Sequence, residues 1–467
     1  MGGVRGFTPR GFNWDVSGSI GAHRTDLFIR DTVNASLGPD TPTAFDLGSN
    51  RQRDISLNAD FSYAANDTLN IAAGGEWRNE QYQTTTGDPE SWTVGPYGRG
   101  QGFSAGSNGF FGYGPMAAGA WSRSNVALYG DLQLTGLDDD WTLGTALRVE
   151  RFDDFGTTAN GKLSARYGVV RASVSTGFRA PTPGQQNGFN ISTIFDPALG
   201  DLVNNGTIPS ISPVAALRGG VPLAPEKSVN YTFGVVFDTG EFSFTADYFR
   251  INVSDRIGIT SNFTLAEAEI DRLLAEGVEA ARDLRRFRFF TNAFSTASQG
   301  IDLVSTFTPL ALRGNTTISA VFNYTDTEVT DNEKGLLNDR RLAEFAYALP
   351  RTRWNIGLTQ QVGRVSILSR LNYFGGWYDF DSGFAQIYLP SGGIAQGFFD
   401  GRPILDLEAS IALGGGTTLA IGAQNALNTY PDESARAMSV GEKYSEYTPW
   451  GFNGAYYYVR IGYGWGG

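Results

Sequence analysis

Few side chains in this 467-residue sequence are equipped for covalent or metal chemistry. There is no Cys and one His, His23, in the run His23-Arg24-Thr25-Asp26. Thiolate nucleophiles, zinc–thiolate sites and any metal site needing two imidazoles are excluded, and a His-dependent triad has a single candidate base. His23 falls at a predicted turn between segments near 11–20 and 24–31, away from any rim where a substrate would sit, so replacing it with Ala should leave every activity unchanged. The residues suited to recognition lie on predicted long loops: Trp92, Tyr97, Phe103, Phe110, Phe111, Tyr113, Arg179, Gln185, Gln186, Asn187, Trp377, Tyr378, Asp379 and Tyr444. Flat aromatic faces with amide and carboxylate neighbours suit stacking on a sugar or an aromatic chelate. Each also has a plainer role in loop-to-loop packing.

Something must hold those loops, and composition limits what. Charged residues are 18% and aromatics 13%, with 60 Gly and a formal charge of −12. Soluble multi-domain enzymes of this length carry more charge and more helix-forming residues. The acidic balance and the absence of any basic run argue against nucleic acid as a partner. No stretch approaches the roughly twenty apolar residues of a membrane helix. The first ten residues also lack the apolar core of a signal peptide.

The dominant signal is alternation with period two. Leu405, Leu407, Ala409, Ile411 and Leu413 share one face, and Asp406, Glu408 and Ser410 the other; Trp354, Ile356 and Leu358 likewise oppose Arg353, Asn355 and Thr359. About seventeen such segments are predicted, near 11–20, 24–31, 53–65, 68–83, 122–136, 140–152, 159–167, 169–177, 228–238, 241–254, 292–308, 314–327, 352–362, 364–376, 402–413, 416–426 and 454–465. Their links alternate between tight turns rich in Gly, Asp and Asn, such as Asp238-Thr239-Gly240 and Gly414-Gly415-Gly416, and long excursions near 84–121, 178–227, 258–291, 328–351, 377–401 and 427–453. A soluble sandwich has no reason to put its long loops at one end. A transmembrane antiparallel β-barrel does, with short periplasmic turns, long extracellular loops, an apolar outer band and a polar lumen. Thr264–Phe287 adds one predicted amphipathic loop helix, expected to pack over the barrel mouth. Arg78 and Glu80, at the outer end of a strand, read as a lumen ion pair.

Several runs resemble the barrel of TonB-dependent outer-membrane receptors. They are Val174-Ser175-Thr176-Gly177-Phe178-Arg179-Ala180-Pro181, Leu223-Ala224-Pro225-Glu226-Lys227-Ser228, Ala246-Asp247-Tyr248-Phe249-Arg250-Ile251, Gln299-Gly300-Ile301-Asp302-Leu303, Gln424-Asn425-Ala426-Leu427-Asn428-Thr429-Tyr430-Pro431, and Gly451-Phe452-Asn453-Gly454-Ala455-Tyr456-Tyr457. All six stand in the family's order, and Asn34–Pro39 and Gly74–Glu80 are similar to its mid-barrel. The resemblance implies an all-β fold, the C-terminal ~17 strands of a ~22-stranded barrel, with residues 1–467 an incomplete barrel domain and no plug domain. It also implies location in the cell outer membrane of a Gram-negative bacterium. The expected partners are outer-membrane lipid, the plug and opening strands from the same or a separate chain, TonB acting through that plug, and a small-molecule ligand; no cofactor is expected.

Parity adds a condition. If short turns follow odd-numbered strands, the first and last of seventeen run the same way and cannot pair antiparallel, so an open seam would expose backbone groups to lipid. The chain is therefore expected to be a truncated product or one half of a split receptor. The expected function is energy-coupled uptake of a scarce nutrient, a carbohydrate or siderophore-like ligand; Asn34–Pro39 is similar to receptors tied to carbohydrate uptake. A passive porin-like channel is the alternative, and a barrel enzyme of the lipase or protease kind is disfavoured by His23.

Overall fold

A computed structural model describes residues 1–467 except 10, 102, 104, 197–200, 278–283, 310–313, 333–334, 380–386, 389–393, 396, 435–436, 439–440 and 466–467. Seventeen strands form one sheet: β1 Gly2–Phe7, β2 Phe12–Arg30, β3 Ala44–Ala64, β4 Leu69–Thr85, β5 Gly119–Thr135, β6 Trp141–Phe152, β7 Gly156–Tyr167, β8 Val170–Arg179, β9 Glu226–Asp238, β10 Phe242–Ile259, β11 Phe290–Phe307, β12 Asn315–Asp331, β13 Thr352–Val362, β14 Val365–Phe374, β15 Arg402–Gly414, β16 Thr417–Gln424 and β17 Tyr456–Tyr463. Each pairs antiparallel with the next in chain order. Among the described residues no ladder joins β17 to β1. At the N-terminal edge, β1 pairs with Asn13–Gly18 of β2.

Two sequence expectations are corrected at this edge. The segments near 11–20 and 24–31 are one continuous strand, and Gly2–Phe7 is an additional one, so the total is preserved by two compensating differences. Gly21-Ala22-His23 does not turn, because the facing strand runs equally long and pairs with it residue for residue, His23 opposite Gln52. His23 is therefore not at a turn; it lies within β2, its ring nitrogen 2.9 Å from the Thr25 hydroxyl.

The distribution of side chains is the reverse of a soluble protein's. Leu128 is 67% exposed and pairs with Val149, while the next pair inward along the strands, Ala127 and Glu150, is buried. Leu147, Leu163 and Ile421 are likewise more than half exposed, whereas Arg123 is 5% and Glu226 7% exposed. Large apolar groups point away from the sheet's concave side and charges point into it. That is favourable only if hydrocarbon lies outside. Trp141 and Tyr167, paired across β6 and β7 beside the short turns, mark one border of the apolar band.

The long links leave the other end, and two of them build a small body of their own. Strands Asn190–Asp196, Asp201–Thr207, Phe263–Thr264 and Arg286–Arg288 form a second sheet, in which Asn205–Thr207 runs parallel to Arg286–Arg288. Helix α1, Glu267–Ala275, lays Ile270 and Leu273 onto Ile208, Val214, Leu284, Phe287 and Phe289. This cap packs in the ordinary sense, apolar side inward. The predicted helix over Thr264–Phe287 is thus shorter: Gly277, at φ +82, follows its end, and Arg286–Arg288 is strand. Val278 and Ala281, assigned to that helix, lie outside the described residues.

Candidate functional site at the lumen mouth

The site is built on the lumen face of β3, β4, β5 and β6, where alternation places carboxylates and guanidinium groups in register. Asp54 pairs across the ladder with Glu80, and Glu80 with Arg123. Arg78 Nε donates to Asp54 at 2.8 Å, and its guanidinium also lies 3.2 Å from Glu80. The expected Arg78–Glu80 ion pair is therefore present within a larger network. Arg123 donates to Glu80 and to the Pro181 carbonyl, with its guanidinium over the Phe152 and Phe155 rings. Deeper in, Arg148 bridges Glu76 at 2.9 Å and Glu150 at 2.5 Å. Arg123 is thus held at both terminal nitrogens by charge-assisted bonds and over aromatic rings, and the four strands present an alternating-charge wall.

Above this wall stands an aromatic and amide layer. Tyr82 stacks on Trp121 at 5.9 Å. Asn50 Oδ1 accepts from Tyr82 at 3.2 Å and Thr84 at 2.9 Å, and its amide donates to the Tyr113 hydroxyl at 2.8 Å. Burial pushes the Tyr113 phenol above its ordinary pKa, so it stays protonated across the physiological range. The short helix Pro183–Asn187 packs over Tyr82, tying loop to lumen face. The loop-based reading of the sequence passed over Tyr82, Trp121, Arg123 and Asn50; the signal that could have found them was their shared parity with Asp54 and Arg78 on strands.

Most residues expected to contact a ligand are occupied by structure. Gln185 and Thr182 form a reciprocal capping box, Gln186 bridges Ser210 and the Leu223 amide, and Asn187 donates to the Pro183 carbonyl. Arg179 grips Glu226 in a two-point ion pair at 2.6 and 2.8 Å. Glu226 also accepts from the Ile257 amide at 2.6 Å, so two of the sequence motifs meet across β8, β9 and β10. Trp92 packs against Gly114, Phe111 against Gly106, and Phe110 meets Tyr113 edge-on. Trp377 is fully buried against Phe399 at 4.5 Å, Asp379 is buried beside it, and Tyr378 meets Tyr347 and Phe398. Tyr444 is stacked between Tyr430 and Phe452. Tyr97 and Phe103 keep exposed ring area.

Two further motifs have plain structural causes. Asn425 and Asn428 both adopt left-handed φ, +49 and +55, which Asn tolerates. Asn425 then accepts from the Thr429 amide while its own N–H reaches Asp406, and Asn428 accepts from the Ala455 amide, fixing the exit of β16 beside the start of β17. Gly300 is required because a Cβ there would lie 2.2 Å from the Tyr324 carbonyl and 2.5 Å from the Phe249 ring.

Residues 4–426 match the family model described as TonB dependent receptor-like, beta-barrel. The chain belongs to the TonB-dependent receptor β-barrel family. Among solved structures, this receptor barrel is similar to a mutant ferric enterobactin receptor (PfeA) of Pseudomonas aeruginosa in complex with enterobactin, at 14% identity and TM-score 0.63, over 98% of this chain and 61% of that one. The siderophore receptor PirA of Acinetobacter baumannii aligns at 13% identity and TM-score 0.62, over 98% and 61%. The copper transporter OprC aligns at 13% and TM-score 0.57, over 97% and 62%. The receptor barrel therefore spans about three fifths of the length of the structures it matches. No curated protein matches its sequence.

Proposed function

We propose that residues 1–467 form the wall of an outer-membrane receptor that takes up a scarce nutrient in an energy-coupled cycle, and that the chain is not an enzyme. The observation that carries this reading is the inversion of faces, apolar outward and charged inward, combined with long loops gathered at one end of a family-matched barrel. The lumen mouth offers stacking rings, amides and alternating charge, which suit a polar ligand with flat surfaces, siderophore-like or carbohydrate. The structural relatives named for siderophores and copper favour the chelate.

Both rims of the sheet run toward the short-turn end. An odd number of further strands, from sequence outside residues 1–467, is what closes it antiparallel throughout. Those strands and a plug, in the same polypeptide or a second one, would complete the receptor and carry the contact with TonB.

The test is uptake in cells. Deleting the coding region for residues 1–467 should abolish accumulation of the ligand, and dissipating the proton gradient in wild-type cells should do the same. Accumulation that survives loss of the gradient would replace this reading with the passive porin.

A further inference from the structure

Strand β12 outruns its partner on one side. It pairs with β11 as far as Asp331, opposite Ser295, but with β13 only as far as Tyr324, opposite Thr352. One residue on, the Thr325 amide still donates to the Arg351 carbonyl at 2.8 Å. In an antiparallel ladder every second residue turns both of its backbone groups to the same side, so Thr327 and Val329 present N–H and C=O groups where β13 is missing. Among the described residues no hydrogen bond reaches those groups from that side. An open edge of this kind is a template for a further strand.

Helix α2, Asp339–Tyr347, stands across from that edge without closing on it. Other contacts anchor the helix: Phe345 meets Phe294 at 4.5 Å, and the amide of the N-cap Asn338 donates to the Ser261 hydroxyl at 3.0 Å. Asp339, Leu342, Ala343 and Ala346, at helical spacing on one stripe, line a cleft of about 550 Å³ whose other wall is residues 326–332. Arg351 shuts one end, paired with Asp326 at 3.0 Å and set over the Tyr347 ring at 4.8 Å. A strand edge that faces an apolar helix stripe across an open slot can take an extended peptide as an added strand. Charge selects the peptide. The lining carboxylates are Asp326, Glu328, Asp331 and Asp339, and Arg351, already paired, is the single cation among the described lining residues. Because Asp326 and Glu328 share one strand face, they oppose alternate side chains of any strand laid beside them.

We propose that this cleft binds an extended basic segment of a partner protein, which adds to β12 beyond Tyr324 as a strand with Lys or Arg at alternate positions facing Asp326 and Glu328. Leu342, Ala343 and Ala346 cover the segment from the helix side. The proposal goes beyond the uptake reading and rests on the barrel only for placing the cleft at the long-loop end, where a protein outside the cell reaches it.

The experiment titrates the full chain, in mild detergent, with a fluorescent synthetic peptide that alternates Lys with Val. Binding should saturate and should raise the amide-exchange protection of Thr327 and Val329, the direct mark of strand addition. Glu328→Lys should weaken binding roughly tenfold, as expected where like charges are brought together. Ala343→Phe, which fills the cleft and leaves its charge intact, should weaken it at least as much. Unchanged protection within residues 315–324 shows that either variant is folded. A peptide with Glu in place of Lys should not bind, and neither should one with alternate backbone amides N-methylated. Undiminished binding of the N-methylated peptide overturns the proposal, as does undiminished binding by Glu328→Lys. Displacement of the peptide by spermidine at equal concentration also overturns it, making the cleft a site for small polyamines. Failure of the barrel reading would look different, with a protein that is missing from the membrane fraction and still binds the peptide.

Discussion

The cap and the barrel wall solve opposite packing problems with the same residue types. In the cap, Phe287 and Leu273 are buried among apolar neighbours while Arg218 and Glu269 sit at the surface. On the wall, Leu128 is turned outward and Arg123 is enclosed. Residue hydrophobicity therefore does not say which side is inside; the medium does. A chain whose halves obey opposite rules has to be read one element at a time.

The comparison can be tested by breaking each rule where it applies. Phe287→Ala should cost the cap about 3–5 kcal/mol, as for other fully buried aromatic truncations, seen as loss of amide-exchange protection in residues 201–216, 263–277 and 284–288 with the wall unchanged. Equal loss in β13–β16 would mean that the cap and the wall are one cooperative unit. Leu128→Arg, near the middle of the apolar band, should destabilise the membrane-inserted wall by ~2–4 kcal/mol, whereas in a soluble protein an exposed Leu→Arg change is nearly silent. A silent outcome in a urea titration would dismiss lipid as the outer medium. Glu226→Ala, which removes the partner of Arg179 and of the Ile257 amide, should cost roughly 1–3 kcal/mol and loosen the junction of β8, β9 and β10 by the same exchange measurement.

A smaller effect separates the regions by pH. The Glu269 carboxyl is held down at about 2 by the Arg218 guanidinium and the Ala266 amide. A carboxylate whose folded pKa is depressed contributes stability that is present above its ordinary range, near 4.5, and is lost as pH falls toward about 2. Cap protection should therefore weaken across that interval, and Glu269→Gln should flatten the dependence. His23→Ala should change neither region nor uptake, since its ring is exposed and hydrogen-bonds to the Thr25 hydroxyl two residues along the same strand.

Much of the wall was legible in the sequence because period-two alternation and turn residues are local signals. Arg402–Gly414, for instance, announces both faces within thirteen residues. The first two strands were harder. Gly21 and His23 look like a break, and only the equally long partner strand Ala44–Ala64 makes them continuous. The site was least legible. Gln185, Gln186, Asn187 and Arg179 have the chemistry of ligand contacts, but helix capping and a cross-strand ion pair use it up, and those are facts of tertiary placement. Tyr82 and Trp121 were hidden for the converse reason, being strand residues whose exposure to the lumen depends on which face is concave.

The parallel splice between Asn205–Thr207 and Arg286–Arg288 has a consequence for the intact cell. Because two separate excursions share one small sheet and one apolar cluster, a protease that nicks either of them leaves both severed ends clasped by the other. Such a receptor would tolerate clipping at its surface, and the fragments would part only once that cluster was melted.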